Sequence, residues 1–577
     1  MKLMWKYTMK NKKLLFCNLI CVLGFILIEL GLPTLLAWMI DIGIPNNDRS
    51  YVIKMGIWML AIIVIGVALN ICLGYVTSRI TSNVTADIRD DLYEKIQTYS
   101  HREYETIGVS SLITRVTNDA YQIMLFLQNV LRLGFTTPLM FGTSLYLVMR
   151  TNRTLGWYVL GALPFLLIGV IAIAYYSEPI SKKQQKNLDK INAILRENLS
   201  GLRVVRAFVN EDFESKRFEK VNKKYADTST RLFSLMALAQ PAFFVLFNTV
   251  MVFIIWQGSL QIDAGSLKLG DLVAFIEYIF HALFSFMLFA TVFMMYPRAA
   301  VSANRIQEAL DADPMIKDNK DGVKDTDKKG YVTFDDVTFA YPGPSETPVI
   351  RNVSFDAKPG ETIAFIGSTG SGKSTLIQLI PRFFDVSQGA VYVDDVNVRD
   401  FNLEALRHKI GFIPQKALLF KGTIADNLRF GKEDATIEDM KKATDIAQAS
   451  EFISQLPEGF YSPISEGGSN LSGGQRQRLA IARAIIRRPE IYIFDDSFSA
   501  LDYETDKKLR ASLKEVTQDS TVLIVAQRVG TIMDADRIVV LNEGDVVGIG
   551  SHHELLKTCP IYHDIAASQL SEEELAK

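Results

Sequence analysis

Residues Gly367 to Ser374 read GSTGSGKS, a match to GxxxxGK[ST] set between the apolar stretch TIAFI and the helix-forming run TLIQLI. Residues of these types at this spacing hold a polyphosphate. The glycines let the loop turn tightly, so that successive backbone N–H groups and a helix N-terminus face phosphate oxygens. Lys373 is placed to neutralise terminal phosphates and Ser374 to offer its hydroxyl to Mg²⁺. Ser368, Thr369, Gly370, Ser371, Gly372 and Thr375 complete the candidate ATP-binding stretch. Further along, Ile491 to Asp496 read IYIFDD, a buried-strand pattern that ends in carboxylates and would bring Asp495 to the water shell of Mg²⁺. Leu471, Ser472, Gly473, Gly474 and Gln475 spell LSGGQ ahead of the helical RQRLAIARAII, which presents N–H groups and Ser472 at a helix start. Taken alone, that turn is one more anion site.

Such loops need a rigid sheet behind them. From Tyr331 onward, short β-rich runs (YVTFDDVTF, TIAFIG, AVYVD, IYIFDD) alternate with helical segments, the pattern of an α/β domain with a largely parallel sheet. The chain of 577 residues is too long for one core, and its 49% hydrophobic content is concentrated before about residue 297. Six stretches there reach the roughly 20 apolar residues that span a bilayer as a helix: about 14–38, 56–76, 133–149, 154–176, 234–256 and 272–296. The third is the weakest, trimmed by Arg132. Lys2, Lys6, Lys10, Lys12 and Lys13 precede the first span, and Lys182, Lys183, Lys186, Lys190, Arg196, Arg203 and Arg206 follow the fourth, which puts those sides in the cytoplasm. The RTNR turn of Arg150 to Arg153 runs mildly against that bias.

The connections 77–131 and 177–233 are long, polar and almost free of proline, so they read as helices continuing into the cytosol. After the sixth span a helical stretch runs to Pro314, and the charged KDNKDGVKDTDKKG has too little apolar content for a core. The expected division is a membrane domain over 1–310, a linker over 311–330 and a soluble domain over 331–577. The basic N-terminus resembles a signal peptide, but the apolar run behind it is too long and no cleavage pattern closes it; it reads as a retained membrane entry. A net charge of −2 and the lack of a basic cluster interleaved with aromatics argue against a nucleic-acid partner. Cys17, Cys21, Cys72 and Cys559 show no paired spacing for a metal and read as reduced packing residues.

The phosphate loop, Gln415 in FIPQ, LSGGQ, IYIFDD and SALD (Ser499 to Asp502) follow one another in the order of ABC-transporter cassettes, and six spans ahead of one cassette resemble the exporter half-transporters. The resemblance covers the whole chain. It implies an all-α six-helix transmembrane domain with long cytosolic helical extensions, then an α/β P-loop ATP-binding cassette. It further implies an integral multi-pass protein of a bacterial plasma membrane with its cassette cytoplasmic. Tyr341 in FAYPG matches the aromatic that stacks on adenine, with a surface turn tyrosine as the plainer alternative. Gln415 matches the residue that touches Mg²⁺ and the attacking water, which makes Ser374, Gln415 and Asp495 the implied Mg²⁺ set. LSGGQ matches the element that closes over ATP held by an opposite cassette, so each ATP site of the family is built from two. Glu466 falls where such exporters carry a glutamate facing the cytosolic helices; a solvated loop carboxylate fits equally.

Two positions depart from the family pattern. Aligning DDSFSALD on the usual DEATSALD puts Asp496 where the family has the glutamate that polarises the attacking water, and the carboxylate loses a methylene of reach. In VAQR, Gln527 stands where a histidine normally contacts the γ-phosphate; an amide hydrogen-bonds but never becomes a cation. Binding of ATP and Mg²⁺ is expected to survive while turnover suffers. An intact LSGGQ is useful only to a site worth closing. The sequence therefore resembles the degenerate-site subunit of heterodimeric bacterial multidrug exporters, whose different partner chain supplies the competent site. The implied cargo is a small amphipathic compound, multidrug or lipid-like, moved across the lipid bilayer by alternating access. A slow homodimeric exporter, or an ATP-gated channel or regulatory protein on the same fold, stays open.

Within the cytoplasmic connections, Gly108 to Ala120 and Glu197 to Phe208 sit where exporters place the helices that dock on cassettes, with Leu202, Val205 and Phe208 as an apolar face and a plain amphipathic cytosolic helix as the alternative. Glu29, Asn70, Asn248, Glu277 and His281 are polar groups inside spans and so candidates for the transport path, with interhelical hydrogen bonds or span-end positions as the equal alternative. Glu277 and His281, four apart, share a helical face.

Overall fold

The computed structural model describes residues 2–342, 347–571 and 575, and divides into two compact units: Met1–Gln97 with Val109–Ala312, and Thr98–Gly108 with Asp313–Lys577. The first unit is helical throughout. Six stretches, Lys2–Gly43, Arg49–Gln97, Val109–Thr151, Arg153–Ser200, Glu211–Asp263 and Leu269–Asp311, are long and apolar enough to cross a membrane. The third has the lowest mean hydropathy, 1.2 against 2.0 to 2.5 for the others. Less than half of each apolar window is buried within the chain. The remaining surface suits hydrocarbon, since a helix satisfies its own backbone and needs no apolar core to hide behind.

Buried contacts among Val22, Ile26, Leu30, Val148, Val159, Phe275, Ile279 and Leu283 hold the spans together. Thr34 and Tyr278 hydroxyls join the first and sixth spans at 2.6 Å. On the cytosolic extensions, Arg115 donates to the Arg305 carbonyl and to Glu308, both at 2.8 Å, and Ser302 donates to Asp119 at 2.7 Å. These bonds seat the Val109–Asp119 segment on the extension of the sixth span.

Of the first cytoplasmic connection, Thr98–Gly108 falls in the same compact unit as the cassette, and Val109–Ala120 falls in the helical unit. Ser100 opens the helix His101–Ile107 with a reciprocal cap to Glu103. The His101 ring packs edge-on against Phe384 at 5.5 Å, and Glu103 accepts from the Met315 amide at 3.3 Å. In the second connection, Leu202 and Phe208 flank the short helix Leu202–Ala207 and are exposed.

Among the described residues, the cassette is built on three sheets. Strands β1 (Val332–Phe339), β2 (Ile350–Ala357), β4 (Gln388–Val393) and β5 (Val396–Asn397) form an antiparallel sheet in the order β2-β1-β4-β5. Strands β3 (Thr362–Gly367), β6 (Ile410–Ile413), β9 (Ile491–Asp495), β10 (Thr521–Val525), β11 (Arg537–Asn542) and β12 (Asp545–Gly550) form the central sheet, ordered β12-β11-β3-β10-β9-β6. All its pairings are parallel except β11 with β12. A two-residue pairing of β7 (Gly422–Thr423) with β8 (Pro463–Ile464) completes the set. Strands β9 and β10 are buried at every residue, as expected of a sheet covered on both faces.

Lys409, at the head of β6, joins the two larger sheets. Its ammonium lies 2.9 Å from Asp394, at the end of β4, and 2.9 Å from Glu490, just before β9. Burial alone would lower its pKa, but the hydrogen bonds to Glu490 and Asp394 outweigh burial and raise it. A raised lysine stabilises fully below its ordinary value, and the contribution fades only as pH climbs through the elevated one. Lys409→Ala leaves Asp394 and Glu490 without their counter-charge. It is expected to cost about 3 kcal/mol, read as a lowered cassette melting transition of the full-length protein whose size does not change across neutral pH.

Candidate nucleotide site

In the central sheet, β3, β10, β9 and β6 are consecutive neighbours, and each delivers its candidate residues at its carboxyl end. The loop 367–374 follows β3, Gln527 follows β10, Asp495 and Asp496 close β9, and Gln415 follows β6. Parallel strands place all these ends on one edge, where open α/β sheets bind ligands.

Gly372 takes φ +96° and passes directly into the helix Lys373–Gln378. A Cβ there would lie 2.5 Å from Ile350 Cδ1 and 2.9 Å from the Val349 carbonyl, so both backbone and space demand glycine. The buried Lys373 ammonium donates to the carbonyls of Gly367 and Ser368, each at 2.8 Å, and to Ser371 Oγ at 3.3 Å. Burial lowers its pKa, while Asp496 and Asp495 pull it back upward. The acceptors on the ammonium are neutral oxygens of the loop itself. Phosphate oxygens in their place would make stronger, charge-assisted bonds.

Ser374 donates to Asp495 Oδ1 at 2.7 Å, which joins the phosphate loop to the end of β9. Asp495 is buried, and burial raises its pKa, with the neighbouring Asp496 adding to the rise and the Ser374 hydroxyl opposing it. Asp496 has φ +47° and carries its carboxylate to two amides: Gln527 Nε2 at 2.8 Å and Gln415 Nε2 at 3.1 Å, both on Oδ2. Its pKa is raised too, by burial, against hydrogen bonds from Gln415 and Ser499. Tyr341 is half-exposed. Its hydroxyl shares a 2.9 Å hydrogen bond with Thr375 Oγ1, and its ring packs edge-on to Phe339 and Phe384. Gly343, which ends FAYPG, lies outside the described residues.

LSGGQ sits apart from this cluster as a helix cap. Ser472 Oγ accepts from the Gln475 amide at 3.2 Å, and Gln475 Oε1 accepts from the Ser472 amide at 2.8 Å, at the start of the helix Gly473–Ile485. The reciprocal pair fixes the first turn. Gly473 has open space around it, while a Cβ on Gly474 would meet the Ala500 carbonyl at 3.2 Å. Glu466 is exposed on the turn before it.

Among the intramembrane candidates, Glu29, Asn70 and His281 line one cavity of about 300 Å³, together with Arg132, Phe25 and Phe280. The His281 ring lies 3.9 Å from the Glu29 carboxylate. Glu277 and Asn248 are exposed and do not line that cavity; the Asn248 amide donates to Phe244 in its own helix at 2.8 Å. The shared face of Glu277 and His281 therefore does not bring them to one place. Arg132 was the residue missed, although a lone cation trimming a span was its signal.

Residues 15–287 match the family model for the ABC transporter transmembrane region, and residues 350–499 match the model for ABC transporters. An uncharacterized ABC transporter ATP-binding protein of Mycobacterium tuberculosis is 39% identical over 548 residues, 94% of each chain. The chain belongs to the ABC transporter family. A second uncharacterized ABC transporter ATP-binding protein, YfiB of Bacillus subtilis, is 36% identical over 96% of each chain. A Staphylococcus aureus protein provisionally named for multidrug export is 30% identical over 94% of this chain and 95% of its own. The fold is that of a bacterial Atm1-family ABC exporter solved with ATP bound, at TM-score 0.82 and 23% identity over 97% of this chain and 99% of that one.

This chain is thus an ABC exporter half-transporter: an integral membrane protein whose cytoplasmic cassette binds ATP and whose ATPase activity is coupled to transport. Gly372→Ala is expected to strain the loop by about 1–2 kcal/mol. That amounts to roughly tenfold in affinity for a fluorescent ATP analogue titrated against the full-length protein.

Proposed function

We propose that this half-transporter moves amphipathic compounds outward by alternating access, as one half of a dimer with a different ABC half-transporter. Its own site holds Mg-ATP and turns it over slowly. Hydrolysis runs mainly in the site that the partner chain forms with this chain's LSGGQ.

The observation that carries this reading is the state of Asp496. A general base needs hydrogen-bond reach to the water and a free lone pair to receive its proton. Asp496 is the shorter of the two acidic side chains, and Gln415 and Gln527 both donate to its Oδ2. Basicity is not what it lacks, since burial raises its pKa. Its deficit is reach, compounded by an oxygen already engaged. Gln527 contributes a neutral amide where a cation would stabilise phosphate charge.

Nucleotide binding is spared these defects. Lys373, Ser371 and the backbone of 367–372 would receive the phosphates, and Tyr341, tethered through Thr375, would offer its ring to the base. Ser374, Asp495 and Gln415 present the oxygen ligands that Mg²⁺ prefers, and the 2.7 Å hydrogen bond joins the first two. When bound, the ion would neutralise charge on the phosphates. Asp496 would then orient water more than deprotonate it.

A dimer is supported by the exposed Leu202 and Phe208 on the second cytoplasmic connection and by the fully capped LSGGQ helix. An amphipathic cargo is supported by the cavity at Glu29, Asn70 and His281, where a few polar groups share walls with Phe25 and Phe280.

The test begins with the chain purified from its native membrane in mild detergent, with any stoichiometric companion identified by intact mass. A different half-transporter is expected. The chain alone should hydrolyse ATP slowly, and Asp496→Glu combined with Gln527→His should raise its turnover by about 100-fold. Recovery of this chain only, as a dimer whose brisk ATPase is lost in Asp496→Ala, would overturn the proposal.

A further inference from the structure

The transport and nucleotide readings leave Cys17, Cys21 and Cys72 unused. Sequence spacing suggests no metal site, yet the structure brings the three sulfurs to within 4.8 Å of one another. Cys17 and Cys21 are one turn apart on the helix Lys12–Trp38, and Cys72 arrives from Arg49–Gln97. Cys21 is buried, while Cys17 and Cys72 are half-exposed, so the cluster is enclosed without being sealed. Beside it, Asn18 donates to Thr77 at 2.9 Å, a buried hydrogen bond that pins the same two helices together.

Three sulfurs around one ion at about 2.3 Å stand about 4 Å apart in a planar arrangement. The cluster is therefore within a side-chain rotation of that geometry. No histidine or carboxylate joins it among the described residues, so the four-ligand tetrahedral set of Zn²⁺ is incomplete. Thiolates without harder ligands select soft ions, Cu(I) above all.

We propose that Cys17, Cys21 and Cys72 form a three-sulfur site that binds one soft monovalent cation of the Cu(I) class and staples the first two spans near their cytoplasmic ends. Each thiol that ligates the ion gives its proton to solvent. Copper enters and stays as Cu(I), so no electron is exchanged.

The test titrates Cu(I) into the reduced, full-length protein under anaerobic conditions, in competition with a chromogenic Cu(I) chelator. One Cu(I) per chain is expected, with X-ray absorption showing sulfur-only coordination by three ligands. Cys559→Ala should leave the stoichiometry unchanged. Each of Cys17→Ala, Cys21→Ala and Cys72→Ala should weaken binding by at least the roughly tenfold seen when a metal site loses a supporting group, with ATP-analogue binding retained as the sign of an intact fold. The proposal is overturned if the reduced wild-type protein retains no copper, if copper persists when all three cysteines are replaced, or if absorption shows only two sulfurs on the ion.

Discussion

One buried lysine, Lys373, faces two adjacent carboxylates, Asp495 and Asp496, at the edge of a sheet that admits little water. Taking any one of these charges out of water alone would cost several kcal/mol. Together they are tolerable, because each charge is within the field of an opposite one and each is hydrogen-bonded. Their pKa shifts record the balance: burial pushes the lysine down and both aspartates up, and the mutual attraction moves each back toward its charged form. The site is thus electrostatically unfinished. It has one cation too few for its own two carboxylates, a triphosphate would widen that deficit, and a divalent metal is the natural complement. The sheet order, the glycine turn at Gly372 and the neighbouring strand ends all serve to hold these three groups where they are.

What the sequence discloses follows the range of the interaction. The phosphate loop, the end of β9 and the LSGGQ cap are each made within a few residues, and each is legible because its chemistry is local: a glycine turn, an apolar strand, a serine with a glutamine three residues on. The clamp of Gln415 and Gln527 on Asp496 joins residues 81 and 31 positions apart. The motifs identify its members, but only the order β10-β9-β6 brings their tips together. Cys72 reaches Cys17 and Cys21 by the same kind of route, through the packing of one helix on another that no single-helix pattern encodes. In the membrane, helical periodicity puts Glu277 and His281 on one face, yet packing takes only His281 into the cavity with Glu29 and Arg132.

The chain crosses between the two compact units more than once. Since Thr98–Gly108 belongs with the cassette, the chain passes between the units after Gln97, after Gly108 and after Ala312. The passage after Ala312 leads into the charged segment 315–330, where Ile316 is buried and Val323 pairs with Phe401. The other two passages attach directly to the helices Arg49–Gln97 and Val109–Thr114. Gly108, at φ +82°, is the point where the short helix His101–Ile107 stops and the next begins.

The slow hydrolysis proposed for this site is compatible with ATP-driven transport. A ligand shifts a conformational equilibrium only by its difference in affinity for the two states, and that difference does not depend on whether the ligand is later cleaved. A site that holds ATP with Lys373 and the phosphate loop, but engages Asp496 with Gln415 and Gln527, would favour the closed arrangement by its difference in ATP affinity between the two states. It would then relax at the slow rate of its own chemistry or of nucleotide release. In a dimer of unlike halves, the second site would set the pace of the cycle while this one biases the population on which that site acts. On the proposed reading, the short carboxylate of Asp496 and the neutral amide of Gln527 would together convert a motor site into a holding site, while Lys373 and the phosphate loop stay as they are.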